Sequence, residues 1–122
     1  MRISLLASLA LAGALGACNG STSPYGGGTG GGTPGANQVF MQNLAFNPTT
    51  RTVAVGTTVQ WVNQDGVTHT VTKDSGPGAA FNQSLGGGAS FSVTFDSAGT
   101  YQYHCTVHGT PGGGMHGTIV VQ

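Results

Sequence analysis

Cys105, His108 and Met115 lie close together near the C-terminus, and His69 lies 36 positions before the cysteine. A thiolate, two imidazoles and a thioether make the donor set of a type 1 copper site, in which sulfur favours Cu(I) and imidazole accepts either oxidation state. Four protein ligands around one copper leave no open position for a substrate, so the set points to one-electron transfer rather than catalysis. Copper delivery or storage draws on the same donors and stands as the alternative function. Zinc also binds a Cys–His–His set. Each residue has a plainer reading too. Cys105 alone is an inert buried thiol, Met115 a core filler, and His69 and His108 a strand and a loop histidine. Those readings leave the four-residue coincidence unexplained. His116 competes with Met115 for the fourth position, but strand alternation turns neighbouring side chains to opposite faces.

The elements that must position these residues are strands. From Val39 onward the apolar residues recur at period two or in short runs broken by glycine, with no helical stripe. Strands are expected around Val39-Phe40-Met41, Leu44-Ala45-Phe46, Thr52 to Val55, Val59 to Asn63, His69 to Thr72, Phe91 to Phe95, Tyr101 to Cys105 and Gly117 to Val121. Turns are expected at Asn47-Pro48, Gln64-Asp65-Gly66 and Ser97-Ala98-Gly99. Seven to eight short strands with regular turns indicate an all-β Greek-key sandwich or barrel. Tyr101, Tyr103 and Cys105 share one face, as do Met115, Gly117 and Ile119. The site is therefore expected at one end of the barrel, with Cys105 ending a strand, His108 in the following loop and Met115 opening the last strand. Trp61, Phe91, Phe95, Tyr101 and Tyr103 read as core.

The run Phe46-x-Pro48, Val53-x-Val55-Gly56, Val59-x-Trp61-x-Asn63-x-Asp65, His69-Thr70-Val71, Gly99-x-Tyr101-x-Tyr103-x-Cys105-x-x-His108 and Met115-x-Gly117-x-Ile119 resembles the plastocyanin and pseudoazurin branch of the cupredoxins. The likeness spans residues 38–122. It implies one copper held by His69, Cys105, His108 and Met115, and electron shuttling between larger redox proteins. It also implies a surface electron-entry role for His104, because in plastocyanins the residue before the cysteine lies outside the site with a covalent route inward. The plain reading of His104 is a solvent-exposed side chain. Two departures stand out. The family usually places two to four residues between the second histidine and the methionine, whereas Gly109 to Gly114 makes six. Relatives often carry asparagine after the first histidine to brace the ligand loop; Thr70 stands there, so its hydroxyl supplies the bracing or none exists.

The N-terminus reads as an address. Arg2 followed by the apolar run Ile3 to Ala14 matches a signal peptide and falls short of the roughly 20 residues needed to cross a bilayer. Leu15-Gly16-Ala17-Cys18 resembles the lipobox of bacterial lipoproteins, which implies removal of residues 1–17 and acylation of Cys18. The alternative is an ordinary secretory signal cut near Ala17, leaving Cys18 a free or disulfide-bonded thiol. Residues 18–37 carry the run Gly26 to Gly32 and few apolar groups, and are expected to act as a flexible tether. From these features the protein is expected to be exported and held in the cell envelope, lipid-anchored to the membrane through Cys18.

Only 5% of the 122 residues are charged and the formal net charge is zero, so no basic patch exists to bind nucleic acid. The same neutrality suggests docking through an apolar patch at the copper end, with Gly109 to Gly114 in it. Four histidines are too few for a type 1 site plus a multi-histidine copper cluster, which disfavours an enzyme and a small-molecule substrate. The expected partners are redox proteins of the cell envelope.

Overall fold

The computed structural model describes residues 32–122. The expected signal peptide, Cys18 and most of the expected tether lie outside the described residues. The described residues form nine strands: β1 Gln38–Gln42, β2 Ala45–Asn47, β3 Thr50–Val53, β4 Thr57–Asn63, β5 His69–Ser75, β6 Asn82–Leu85, β7 Ser90–Phe95, β8 Gly99–Thr110 and β9 Gly113–Val121. They build two sheets, ordered β2-β1-β4-β7 and β3-β9-β8-β5-β6. β1 runs parallel to β4 and β3 parallel to β9; the other pairs are antiparallel. This is the expected all-β sandwich, with one strand more than seven to eight. The unforeseen strand is β6, whose Asn82-Gln83-Ser84 are exposed and only Leu85 buried. An edge strand with three polar side chains carries no apolar alternation, so its sequence gives no strand signal.

Period-two alternation sends Val59, Trp61 and Asn63 of β4, and Tyr101, Tyr103 and Cys105 of β8, into the space between the sheets. Trp61 is wholly buried and meets Tyr103 edge-on at 5.3 Å between ring centroids, with Phe81, Phe91 and Phe95 at 6.1–6.3 Å. Such aromatic contacts add roughly 0.5–1.5 kcal/mol per pair beyond area burial. Tyr103 also meets Phe46 edge-on at 4.7 Å. Opposite it across β8–β9 stands Gly117, where a Cβ would fall 2.5 Å from the Tyr103 Cζ and Oη. The ring fills the volume a side chain at 117 would need. This aromatic plug holds β8 and β9 in register two residues before Cys105.

Candidate metal centre

The site lies where β5 begins and where the β8–β9 ladder is interrupted. Regular pairing runs from Gly99↔Val121 to His104↔His116, breaks, and resumes at Gly109↔Gly114 and Thr110↔Gly113. Between the two paired stretches β8 contributes Cys105 to His108 and β9 contributes only Met115. Four residues against one form a large bulge, the usual device for re-aiming side chains from a strand. The six residues 109–114 close as a hairpin around Pro111-Gly112, with Gly112 at φ 73° as a Pro–Gly turn requires. The hairpin is tight. A Cβ at Gly109 would sit 2.5 Å from the Met115 carbonyl oxygen, and one at Gly114, where φ is 60°, 2.8 Å from the His108 carbonyl oxygen. Glycine therefore brings His108 and Met115 to the base of the hairpin despite the six-residue spacing. His108 belongs to extended β8 rather than to a loop, and Met115 is the third residue of β9 rather than its first.

His69, Cys105 and His108 converge. Their donor atoms all lie within 4.8 Å of one another, and they are the one such His/Cys/Asp/Glu group among the described residues. The two Nδ1 atoms are 3.0 Å apart and each is 3.7 Å from the Cys105 Sγ. A metal ion about 2.0–2.1 Å from nitrogen and about 2.3 Å from sulfur would fit between these three donors. His69 and Cys105 are fully buried, whereas His108 reaches the surface beside exposed Val107. Met115, 2% exposed, belongs to the same buried cluster as Cys105.

The surroundings prepare each ligand. The Thr70 amide donates to the Cys105 Sγ at 3.3 Å, which stabilises charge on the thiolate. The Thr70 hydroxyl accepts from the Thr106 amide at 2.8 Å and bonds the Thr72 and Thr106 hydroxyls at 3.1 Å. Of the two possibilities for Thr70, the hydroxyl brace is the one present: it ties β5 to the bulge immediately after the cysteine. His69 Nε2 lies 2.8 Å from the Asp65 Oδ2. An ionised carboxylate only accepts, so Nε2 carries the proton and the Nδ1 lone pair of a neutral ring faces the other donors.

Asp65 is the functional residue that sequence reading left in a turn. Asn63 shapes that turn: its side chain donates to the Val67 and Leu85 carbonyls at 2.7 and 2.9 Å and accepts from the Asp65 amide at 2.9 Å. The Asp65 carboxylate also accepts from the amides of Asn43 and Leu44, at 2.8 and 3.0 Å, both in left-handed conformation. Burial pushes the Asp65 carboxyl up, but the His69 hydrogen bond and the two amides outweigh it and hold the pKa below its ordinary value. An aspartate four residues before a candidate ligand was the available signal, and its turn-forming role masked it.

The remaining histidines face away from the core. His104 is not freely exposed as its plain reading expects: its Nδ1 lies 2.6 Å from the Asp74 Oδ1, and the two side chains are only 12% and 13% exposed. His116 pairs opposite it and lies 3.0 Å from the Gly114 carbonyl through Nδ1. Neither stands among the convergent donors.

Comparison with known proteins agrees with this geometry. Residues 35–122 match the family of copper-binding proteins of the plastocyanin/azurin kind. A plastocyanin from Scenedesmus fuscus is 41% identical over 88 residues, covering 65% of this chain and 88% of its own. Amicyanin from Paracoccus denitrificans is 33% identical over 91 residues, covering 72% of this chain and 66% of its own. The copper-containing nitrite reductase of Thermus scotoductus superposes with a TM-score of 0.62 at 30% identity, over 70% of this chain but only 22% of the reductase. The donor triangle, the sandwich that carries it and these likenesses converge: the chain belongs to the plastocyanin/azurin family of copper-binding proteins.

Proposed function

We propose that this protein carries single electrons through one type 1 copper that His69, Cys105 and His108 would hold, with Met115 as the fourth donor. The observation that carries the reading is the triangle of two Nδ1 atoms and one Sγ, buried at His69 and Cys105, with its three donors held in place by Asp65, Thr70 and the β8 bulge. Copper so bound would supply a one-electron couple, tuned by its thioether donor and by the hydrogen bonds at the cysteine sulfur. The protein's part is to hold the donors still. Cys105 and His69 are fixed between the sheets, and the Thr70 hydroxyl locks the bulge, so little rearranges when the charge changes.

His108 is the ligand open to the surface, which makes its ring the shortest way in for an electron. Val67 and Val107, 48% and 58% exposed, lie beside His69 and His108 in the chain, and Leu44, 51% exposed, donates its amide to Asp65. They offer an apolar docking area on a chain with almost no charge, suited to weak and rapidly reversible contact. His104, tied to Asp74, offers a second route through the peptide bond to Cys105. An enzymatic role is disfavoured because His104 and His116 face outward and cannot furnish a further multi-histidine copper cluster with the ligands already used. The nitrite reductase likeness extends to a domain-sized part of that protein. We further propose export, with Cys18 acylated and residues 18–37 as a tether that lets the domain meet redox partners of the cell envelope.

Titration of the protein with Cu(II) tests this reading. An intense visible thiolate-to-copper absorption, lost in Cys105→Ser and cycling reversibly with oxidant and reductant, is expected. A folded protein that binds Cu(I) tenaciously without that absorption would replace the carrier by a copper-handling protein.

A further inference from the structure

Asp65 is one of three acidic residues in the chain, the others being Asp74 and Asp96. It is placed on the far nitrogen of a buried ligand. Its side chain is 18% exposed while that of His69 is wholly buried, so the contact is partly shielded from water. A peptide carbonyl would suffice to hold a ring in place. A carboxylate adds a full negative charge on the axis running through the ring to the donor nitrogen. It raises the basicity of that nitrogen and favours the higher positive charge on whatever the nitrogen binds.

The same carboxylate is fastened from behind. Its Oδ1 accepts from the Asn43 amide, its Oδ2 from the Leu44 amide as well as from His69, and its own amide is held by Asn63. Two successive non-glycine residues, Asn43 and Leu44, take left-handed backbone at φ 55° and 58° to present those amides. That conformation is disfavoured for residues that carry a Cβ. The Asn43–Leu44 turn, the 63–67 segment and His69 thus form one hydrogen-bonded unit centred on Asp65.

We propose that Asp65 is a charged positioning residue of the copper centre, fixing His69 as the Nε2–H tautomer and biasing the centre toward Cu(II). The proposal rests on the copper reading above for its redox half and on the His69–Asp65 contact alone for its tautomer half. Asp65→Asn is the informative variant. Its amide oxygen at the Oδ2 position keeps the His69 and Leu44 contacts, while its NH2 group gives up only the exposed contact to Asn43. Asp65→Glu retains the charge.

The experiment is the midpoint potential of the copper-loaded protein, wild type against both variants, with the visible spectrum recorded alongside. Asp65→Asn is expected to keep the absorption and to shift the Cu(II)/Cu(I) equilibrium about tenfold toward Cu(I), a rise of about 59 mV for one electron. Asp65→Glu is expected to stay within about threefold of wild type. An unshifted potential in Asp65→Asn, or equal shifts in both variants, overturns the charge role, because a purely steric support would respond to geometry and not to charge. The tautomer half is read without copper, by nitrogen NMR of the metal-free protein: His69 as the Nε2–H form in wild type supports it, and the Nδ1–H form overturns it. A wild type lacking the visible absorption would overturn the copper reading and the redox half, leaving the NMR result to decide the tautomer half.

Discussion

Gly117→Ala offers the sharpest test of how the core holds the metal centre. The new methyl carbon would lie 2.5 Å from the Tyr103 Cζ and Oη and 3.0 Å from Cε2. Carbon atoms pack at about 3.5–4.0 Å, so the overlap is roughly 1 Å at two atoms. The ring cannot retreat, since Phe46 stands 4.7 Å away on one side and Trp61 5.3 Å away on another, and Tyr103 itself has no exposed surface. Overpacking a tight core costs about 1–3 kcal/mol, and a wedged ring belongs in the upper half of that range. For a domain of 60–100 residues each kcal/mol moves Tm by about 4–8 °C, so a fall of roughly 10–20 °C is expected. Thermal unfolding of the metal-free protein is the assay, because bound metal would add its own stabilisation. Adding Tyr103→Phe removes the Oη overlap and should recover part of the loss. A Tm within about 2 °C of wild type would refute the claim that Tyr103 and Gly117 share one filled volume.

Three further outcomes follow from named contacts. Thr70→Val leaves the Thr106 amide without its acceptor and should cost about 1–2 kcal/mol by chemical denaturation, whereas Thr70→Ser should stay near wild type. Met115→Leu nearly conserves volume and should cost under about 1.5 kcal/mol, yet it should change the visible spectrum and midpoint potential of the copper-loaded protein; an unchanged spectrum would remove Met115 as axial ligand. Burial pushes the Tyr103 phenol well above its ordinary 10.0, against smaller opposing pulls from Trp61 and Arg51. The folded state therefore keeps the proton where the unfolded chain releases it, and stability is full below about pH 10 and falls as pH rises past it. Denaturant unfolding across that range should show the alkaline loss flatten in Tyr103→Phe.

Most of the architecture was readable because it depends on local pattern. Alternating residues such as Val59-x-Trp61-x-Asn63 and Tyr101-x-Tyr103-x-Cys105 declare which side faces inward, and the strand period makes that reading nearly independent of the rest of the fold. β6 escaped because Asn82-Gln83-Ser84 have no inward partner to alternate with; only pairing to β5 makes them a strand. The ligand identities were legible for a similar reason. Cysteine and histidine are rare here, and their chemistry narrows the possibilities before any geometry is known.

By itself, the sequence determined the donor types, the inward parity of Cys105 and the all-β class. Each follows from side-chain chemistry or from a period-two rule acting within a few residues. The tertiary structure alone decided the rest. Six residues between His108 and Met115 look like a loose loop until β8 and β9 pair across them and Gly109 and Gly114 let the backbones meet. Asp65 looks like a turn former until β5 carries His69 against it, and His104 looks solvent-exposed until the fold brings Asp74 to it. Such contacts join elements distant in sequence or set by how strands pair, and the free energy that selects them exists only once both partners are in place.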